Sequence, residues 1–380
     1  MSHHLCLVSD QTMPNYLPIK AQEIKPSKVT LAVTDKMKTQ GERLRQELSG
    51  HGIMVDILSL GADAASFDEL QDIFLEWVSN HETEDIVLNV TGGTKPMAIA
   101  AQEVFRGFRK PVFYVDVDTD KVWWLDSSLD TPKWSVKCNI TKPITTATYL
   151  ALHGVTLESG QQAFKNPEWF EFAKELAEKA SNRNFGNLLG QLNRLAKEAE
   201  NRNSLDGGQG DVSSTEWMNL LESLWANEIT RDKTRLLFRS NEARFFANGG
   251  WLEAYLFHYI KRIVPYNDTT YLNSILKGAS GERNEIDVLT QTHNQLFVFE
   301  CKTRNYSNEN SAAEALYKLL AIGSPKNIGL RTNNIFVTYR DLNDADLKRA
   351  DSYRIKIIRA NELHPKHIES KLKAILEREL

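Results

Sequence analysis

The sequence predicts an α/β protein built as two α/β units with a helical segment between them, and three observations lead there. Residues 1–150 alternate short apolar runs with amphipathic ones, the order expected of a mainly parallel sheet of Rossmann-like topology. Residues 166–202 carry Trp169, Phe170, Phe172, Leu176, Phe185, Leu188, Leu189, Leu192 and Leu195 at helical spacing. Residues 284–302 read as two β-branched, aromatic strands around a polar turn.

In the first unit, strands are expected at 4–8, 29–34, 54–59 and 85–90, with a helix at 15–24 between the first two. Further helices are expected at 40–49, at 67–80 behind a Ser66 cap, and at 97–108. Residues 112–116 and 122–125 close the sheet as a hairpin across Asp118-Thr119-Asp120. Residues 150–158 continue from this unit, and 204–210, rich in glycine, is expected to be a flexible loop. A helix at 214–228, a strand pair at 235–239 and 243–247, and a helix ending near 263 lead to the hairpin. A helix at 311–322, strands at 333–339 and 354–358, and a helix at 363–380 complete the chain. The expected division is therefore 1–150, 151–230 and 231–380.

Composition sets outer limits. A chain of 380 residues with 41% hydrophobic content can bury sizeable cores in two or three domains. No apolar run approaches the roughly 18 residues of a membrane span, and Met1-Ser2-His3-His4 does not open a signal peptide. The three cysteines, Cys6, Cys138 and Cys301, are too few and too scattered for a disulfide framework or a Cys-based zinc site. A cytosolic protein is expected. The net charge of −4 hides an asymmetry. Residues 1–150 hold 15 Lys+Arg against 20 Asp+Glu, and residues 151–230 hold 7 against 12. Residues 231–380 hold 24 against 18, a net of +6 that suits a segment attracting a polyanion.

Chemistry concentrates in that last third. Asp287 sits within Asn284-Glu285-Ile286-Asp287-Val288-Leu289, and Glu300 and Lys302 within Phe297-Val298-Phe299-Glu300-Cys301-Lys302. A hairpin puts both carboxylates on neighbouring strands, within reach of one hard cation such as Mg²⁺ or Mn²⁺. The strand period of two places Lys302 on the face of Glu300. An E-x-K strand alone is usually a solvated face. Large apolar neighbours and the second carboxylate shift the balance towards phosphodiester hydrolysis.

This pattern resembles the PD-(D/E)xK nuclease signature, with Asp287, Glu300 and Lys302 in its three roles. The resemblance implies a further acid on a preceding helix, a place that Glu253 fits, and a metal held by Asp287, Glu300 and the Cys301 carbonyl. On the helix after the hairpin, Tyr317 and Lys318 are candidate phosphate contacts, though an ordinary solvated face is as good a reading. Arg340, Lys348 and Arg349 are expected on a solvated surface.

In the first unit two loops follow strand ends: Ser9-Asp10-Gln11-Thr12-Met13-Pro14-Asn15 and Thr91-Gly92-Gly93-Thr94-Lys95-Pro96-Met97. Glycine backbone, a helix N-terminus and Lys95 suit an anion. A plain turn with Thr94 as helix cap would explain the second loop as well, and neither loop has P-loop or G-x-G-x-x-G spacing. Together with a downstream nuclease pattern they resemble the CRISPR-associated CARF–nuclease proteins, including the Can and Card nucleases of type III systems. The resemblance covers nearly the whole chain. It implies a CARF sensor at 1–150, a helical connector at 151–230 and a restriction-endonuclease-like effector at 231–380. It also implies a homodimer whose sensors share one pocket for cyclic tetra-adenylate, lined by Ser9, Gln11, Asn15, Gly92, Gly93, Thr94 and Lys95. The activity implied is metal-dependent cleavage of DNA, RNA or both, gated by that ligand, in antiviral defence. Two alternatives stay open on the residues: a ligand-independent restriction or repair nuclease, and a non-enzymatic ligand-gated DNA-binding regulator.

Overall fold

The computed structural model describes residues 2–62, 66–125, 136–137, 143–180, 182–209, 229–232, 235–303, 312–323 and 332–377. The chain forms two compact units, residues 1–156 and, in the main, residues 157–380. No helix among the described residues is long and apolar enough to cross a membrane.

In the first unit, β1 (His3–Leu7), β2 (Lys28–Val33), β3 (Met54–Ser59), β4 (Ile86–Asn89) and β5 (Val112–Asp116) run parallel in the order β3-β2-β1-β4-β5. The antiparallel strands β6 (Lys121–Trp124) and β7 (Val136–Lys137) extend that edge. The helices are α1 (Lys38–Gly50), α2 (Phe67–Asn80), α3 (Lys95–Gly107) and α4 (Thr146–Leu152). Leu5, Leu7 and Leu88 of the sheet pack with Phe74 and Trp77 of α2 and Ala101 and Phe105 of α3. Local signals act as expected: Ser66 and Glu69 form a reciprocal capping box at α2, and Thr94 caps α3. The helix expected at 15–24 is instead three one-turn pieces, Met13–Tyr16, Leu17–Lys20 and Gln22–Ile24. Pro14 and Pro18 each suit a first turn and neither suits a helix interior.

In the second unit a six-stranded sheet has the order β16-β15-β14-β13-β12-β8. Its strands are β8 (Thr156–Gln161), β12 (Thr270–Lys277), β13 (Arg283–Thr292), β14 (Gln295–Lys302), β15 (Thr332–Thr338) and β16 (Lys356–Ile358). β12, β13 and β14 are antiparallel neighbours, whereas β14, β15 and β16 run parallel. A small antiparallel sheet joins β9 (Asp206–Gln209), β10 (Ile229–Asp232) and β11 (Arg235–Phe238). The helices are α5 (Phe170–Lys179), α6 (Arg183–Asn201), α7 (Trp251–Ile263), α8 (Ala313–Ile322), α9 (Asp344–Ser352) and α10 (Ile368–Leu376).

Several expectations change here. The segment at 151–230, expected as a separate connector, contributes α5 and α6 to the core that also holds α7, β14 and β15. Trp169, Leu176, Leu188, Leu189, Leu192 and Leu195 of this segment are buried in that core, with Phe170, Phe172 and Phe185 packed against it. Residues 204–210 were expected to be a flexible loop, yet Asp206–Gln209 forms a strand, because β11 offers it a ladder. Residues 243–247, expected as a strand, fall in a short helix, Asn241–Phe245, and a π-type turn, Phe246–Gly250. The Ser240 side chain starts that helix by accepting from the Ala243 backbone N–H at 3.0 Å. β12 and α9 are elements that sequence reading did not find. The helix expected at 214–228 lies outside the described residues.

Candidate active site and ligand loops

The effector site grows from the β13–β14 hairpin. His293 and Asn294 both take positive φ at its tip, and the register pairs Val288 with Phe299. One step further along, where the strands part, stand Asp287 and Glu300. Asp287 Oδ2 accepts the Cys301 backbone N–H at 2.6 Å, which pins the carboxylate across the strands. Lys302 Nζ lies 2.6 Å from Glu300 Oε1 and 3.5 Å from Asp287 Oδ2. Lys318 of α8 adds a second cation, its Nζ 3.2 Å from both Glu300 oxygens. Two buried carboxylates are thus compensated by two ammonium groups.

Glu253 enters from the first turn of α7, whose Trp251, Leu252, Tyr255, Leu256 and Ile260 are buried. Its Oε2 is buried with no hydrogen-bond partner among the described residues. Burial above all, reinforced by the Asp287 carboxylate, lifts its carboxyl well above the usual carboxylate range against the pull of Lys302. Burial and then Glu300 push Asp287 up to about 6. Burial alone would lower Lys302, but Asp287 and Glu300 hold its ammonium above the usual lysine range. Acids driven upward beside a firmly charged lysine mark a candidate functional site.

The four expected effector residues, Glu253, Asp287, Glu300 and Lys302, therefore come together. Of the helix candidates, Lys318 reaches the site through Glu300. Tyr317 is 53% exposed and packs against the Tyr353 ring at 5.5 Å between centroids. Sequence reading missed a cavity of about 820 Å³ beside the site, lined by Glu253, Lys302, Asn248, Arg194, Lys197 and Arg340 among others. Its α6 wall comes from a segment whose summed charge is negative, so averaging hid the cations. Lys348 is exposed as expected, but Arg349 pairs at 2.5 Å with the buried Asp346.

In the first unit the order β3-β2-β1-β4-β5 reverses direction between β1 and β4, and both ligand-loop candidates lie at the carboxyl ends of those two strands. Ligands of open α/β sheets bind there. A Cβ at Gly92 would stand 1.9 Å from the Leu7 carbonyl oxygen and 3.5 Å from Ser9 Oγ, so the two loops touch at a point that admits no side chain. Gly93 adopts φ +74°, open to glycine at no steric cost. Thr94 and Lys95 are exposed at the start of α3, and Gln11 is exposed opposite.

Asn15 is the exception among the expected contacts. It is 2% exposed, its Nδ2 donates to the Leu7 carbonyl at 2.8 Å, and its Oδ1 accepts from Asn89 Nδ2 at 3.2 Å. It fixes the loop from within. Asn89 also donates to the Pro14 carbonyl at 3.0 Å and accepts from Thr91 Oγ1 at 2.7 Å, and Thr91 Oγ1 accepts from the Val115 N–H at 2.7 Å. A buried asparagine closing an apolar strand was the signal available for this clamp.

These features define a class: a Rossmann-like unit with a loop site at its switch point, joined to a nuclease unit of the PD-(D/E)xK kind. Comparison with known proteins agrees. A model of the Card1 CARF domain matches residues 3–141 and one of the Card1-like endonuclease domain matches residues 240–377. The chain thus carries a Card1-type CARF domain followed by a Card1-like endonuclease domain. Among solved structures it is similar to protein VC1899 from Vibrio cholerae, with 25% identity, a TM-score of 0.84, and 99% and 98% of the two chains covered. It is also similar to Can2 from Sulfobacillus thermosulfidooxidans in complex with cyclic tetra-adenylate, with 26% identity, a TM-score of 0.78, and 97% and 96% covered. A type III CRISPR defence DNA nuclease activated by cyclic oligoadenylate shares the fold, at 17% identity and a TM-score of 0.51 over 89% of this chain and 45% of that one. No curated protein matches.

Proposed function

We propose that this protein is a nuclease of type III CRISPR defence that cyclic tetra-adenylate switches on. The observation that carries the effector half is the convergence of Asp287, Glu300 and Lys302 at one hairpin end, with Glu253 above them. The donor set fits a hard divalent cation. It offers two carboxylates, the Cys301 carbonyl and a Glu253 oxygen that is buried and unpartnered among the described residues. Asp287, Glu300 and the Cys301 carbonyl would hold Mg²⁺ or Mn²⁺, with Glu253 as a further ligand or as the group orienting water. Such a cation supplies an activated water and neutralises charge on the phosphate. Lys302, kept protonated by its two acids, steadies the negative charge that builds on the phosphate oxygens. Glu253 Oε2, buried and unpartnered among the described residues, is free to accept a hydrogen bond from that water.

The sensor half rests on likeness to the cyclic tetra-adenylate complex of Can2 and on the two loops meeting at the switch point. Backbone groups of Gly92 and Gly93 and the Lys95 ammonium hold ligand phosphate, with Ser9, Gln11 and Thr94 beside them. Asn15 acts indirectly by fixing the loop. A fourfold ring suits a two-fold pair of sensors, so a homodimer is part of the proposal. Ile99 of α3, 50% exposed one turn after Lys95, is an apolar group that a partner would cover. Sensing belongs to the unit ending near residue 150, and residues 151–230 work with the effector. The free thiols Cys6 and Cys301 are both buried, which suits a cytosolic place of action.

The test is cleavage of labelled single-stranded RNA, single-stranded DNA and plasmid, with Mn²⁺ or Mg²⁺, with and without cyclic tetra-adenylate. Cutting that needs both metal and ligand is expected. Equal cutting without the ligand would remove the switch and leave a free-running nuclease.

A further inference from the structure

β15 runs parallel to β14 with Thr338 opposite Lys302, so the chain leaving β15 passes beside the end of the catalytic strand. The next two residues are Tyr339 and Arg340. Tyr339 is buried, and the Arg340 guanidinium lies over its ring, Cζ 4.7 Å from the centroid. On its other side the guanidinium meets α6 at Gly186 and Gly190, which lie four residues apart on one helix face. A Cβ at position 190 would stand 2.4 Å from Nη2, and one at position 186 would stand 3.4 Å from Nη1. Two glycines and an aromatic ring thus shape a flat slot around a planar cation.

Among the described residues the slot contains no counter-charge: no carboxylate comes within ion-pair distance of Arg340. Among those residues its buried Nε has no hydrogen-bond partner, and Nη1 reaches Asn187 Oδ1 only at 3.5 Å. Arg194, on the same cavity wall, is instead paired with Glu198 at 2.6 Å. A partly buried guanidinium with unmet donors is costly unless an anion arrives with a ligand. The cavity it lines also holds Glu253 and Lys302.

We propose that Arg340 forms a phosphate subsite of the nuclease, its fork holding the non-bridging oxygens of a phosphodiester next to the one that is cut. Gly190 keeps the slot open. This rests on the nuclease reading. The subsite positions the strand; the bond is broken at Asp287, Glu300 and Lys302.

The experiment measures anisotropy of labelled single-stranded DNA and RNA oligonucleotides over a salt series. It is run in EDTA with saturating cyclic tetra-adenylate, for wild type, Arg340→Ala, Arg340→Lys and Gly190→Ala. Arg340→Ala should bind about tenfold more weakly, with a salt slope smaller by about 1. Arg340→Lys should keep the slope and regain part of the affinity. Gly190→Ala keeps the arginine but displaces it, and alanine favours helix. It should therefore bind more weakly with an undiminished Tm, which an effect on folding alone would not produce. Unchanged affinity and slope in Arg340→Ala and Gly190→Ala, while wild type binds and cuts, would overturn the subsite and leave the nuclease. A wild type that neither binds nor cuts any nucleic acid in Mn²⁺ would overturn both.

Discussion

At the scale of single residues, the effector site is a set of charges held at a cost. Asp287 shows this most clearly, because burial and Glu300 raise its carboxyl from 3.8 to about 6. Between those values the folded chain holds more protons than the unfolded chain. Asp287 therefore stabilises the metal-free fold most below about pH 4, and that contribution is lost as pH rises through about 6. Asp287→Asn keeps an oxygen for the Cys301 N–H and removes the charge. We expect it to raise stability at pH 7 in EDTA by about 1–3 kcal/mol and to flatten the Tm profile between pH 4 and 7, while abolishing cleavage. Calorimetry across that range decides it; parallel profiles for the two proteins would show that Asp287 is not the strained group. Lys302→Ala is expected to lower cleavage at least about a hundredfold. Glu300→Ala should abolish cutting, as should EDTA. In all three cases isothermal titration should find cyclic tetra-adenylate bound as in wild type, since the loops proposed to bind it are in the other unit. The convergence of Asp287, Glu300 and Lys302 was legible because it needs only strand period and hairpin proximity. The surroundings of Asn15 and Arg340 were not legible, because they depend on contacts across 74 and 150 residues of sequence, with Asn89 and Gly190.

At the scale of elements, the sequence was most readable where local rules act alone. The Ser66 capping box, the Thr94 cap and the β13–β14 hairpin all sit within two to four residues of the groups that define them. It was least readable where a partner decides. Asp206–Gln209 is glycine-rich and becomes a strand only because β11 pairs with it, and Thr270–Lys277 has mixed composition but a register with β13 from Thr270↔Thr290 to Lys277↔Arg283. The contact between the loops after β1 and β4 is of that second kind, and it carries a prediction. Gly92→Ala places a methyl 1.9 Å from the Leu7 carbonyl, a backbone atom that cannot swing away. The loops must part, at a cost of about 1–3 kcal/mol, and cyclic tetra-adenylate binding should fall by more than tenfold. Cleavage at saturating ligand should persist to the extent that ligand still binds. A Gly92→Ala protein with wild-type affinity would mean that the ligand sits elsewhere.

At the scale of the whole molecule, the switch must obey linkage. A ligand turns on a distant site only by binding the active arrangement more tightly, and moving a population from 1:99 to 99:1 takes about 5.5 kcal/mol of difference. In the proposed dimer, a four-phosphate ring held between two sensors would gather that difference from both copies at once, more than a single loop pair meeting one or two phosphates. The dimer proposal therefore fixes a number: calorimetric titration should saturate at one ring per two chains, and light scattering should give a dimer before ligand is added. Lys95→Ala removes two ammonium groups from that shared pocket. The affinity loss should accordingly exceed the roughly tenfold expected for one charge-assisted contact, while cleavage at saturating ligand remains. The rise in Tm on adding ligand should shrink in step, since it measures the same binding energy. One ring per chain, with a tenfold loss or less in Lys95→Ala, would place a complete pocket in each sensor. Activation would then have to pass along a single chain, from the loops after β1 and β4 to the effector site.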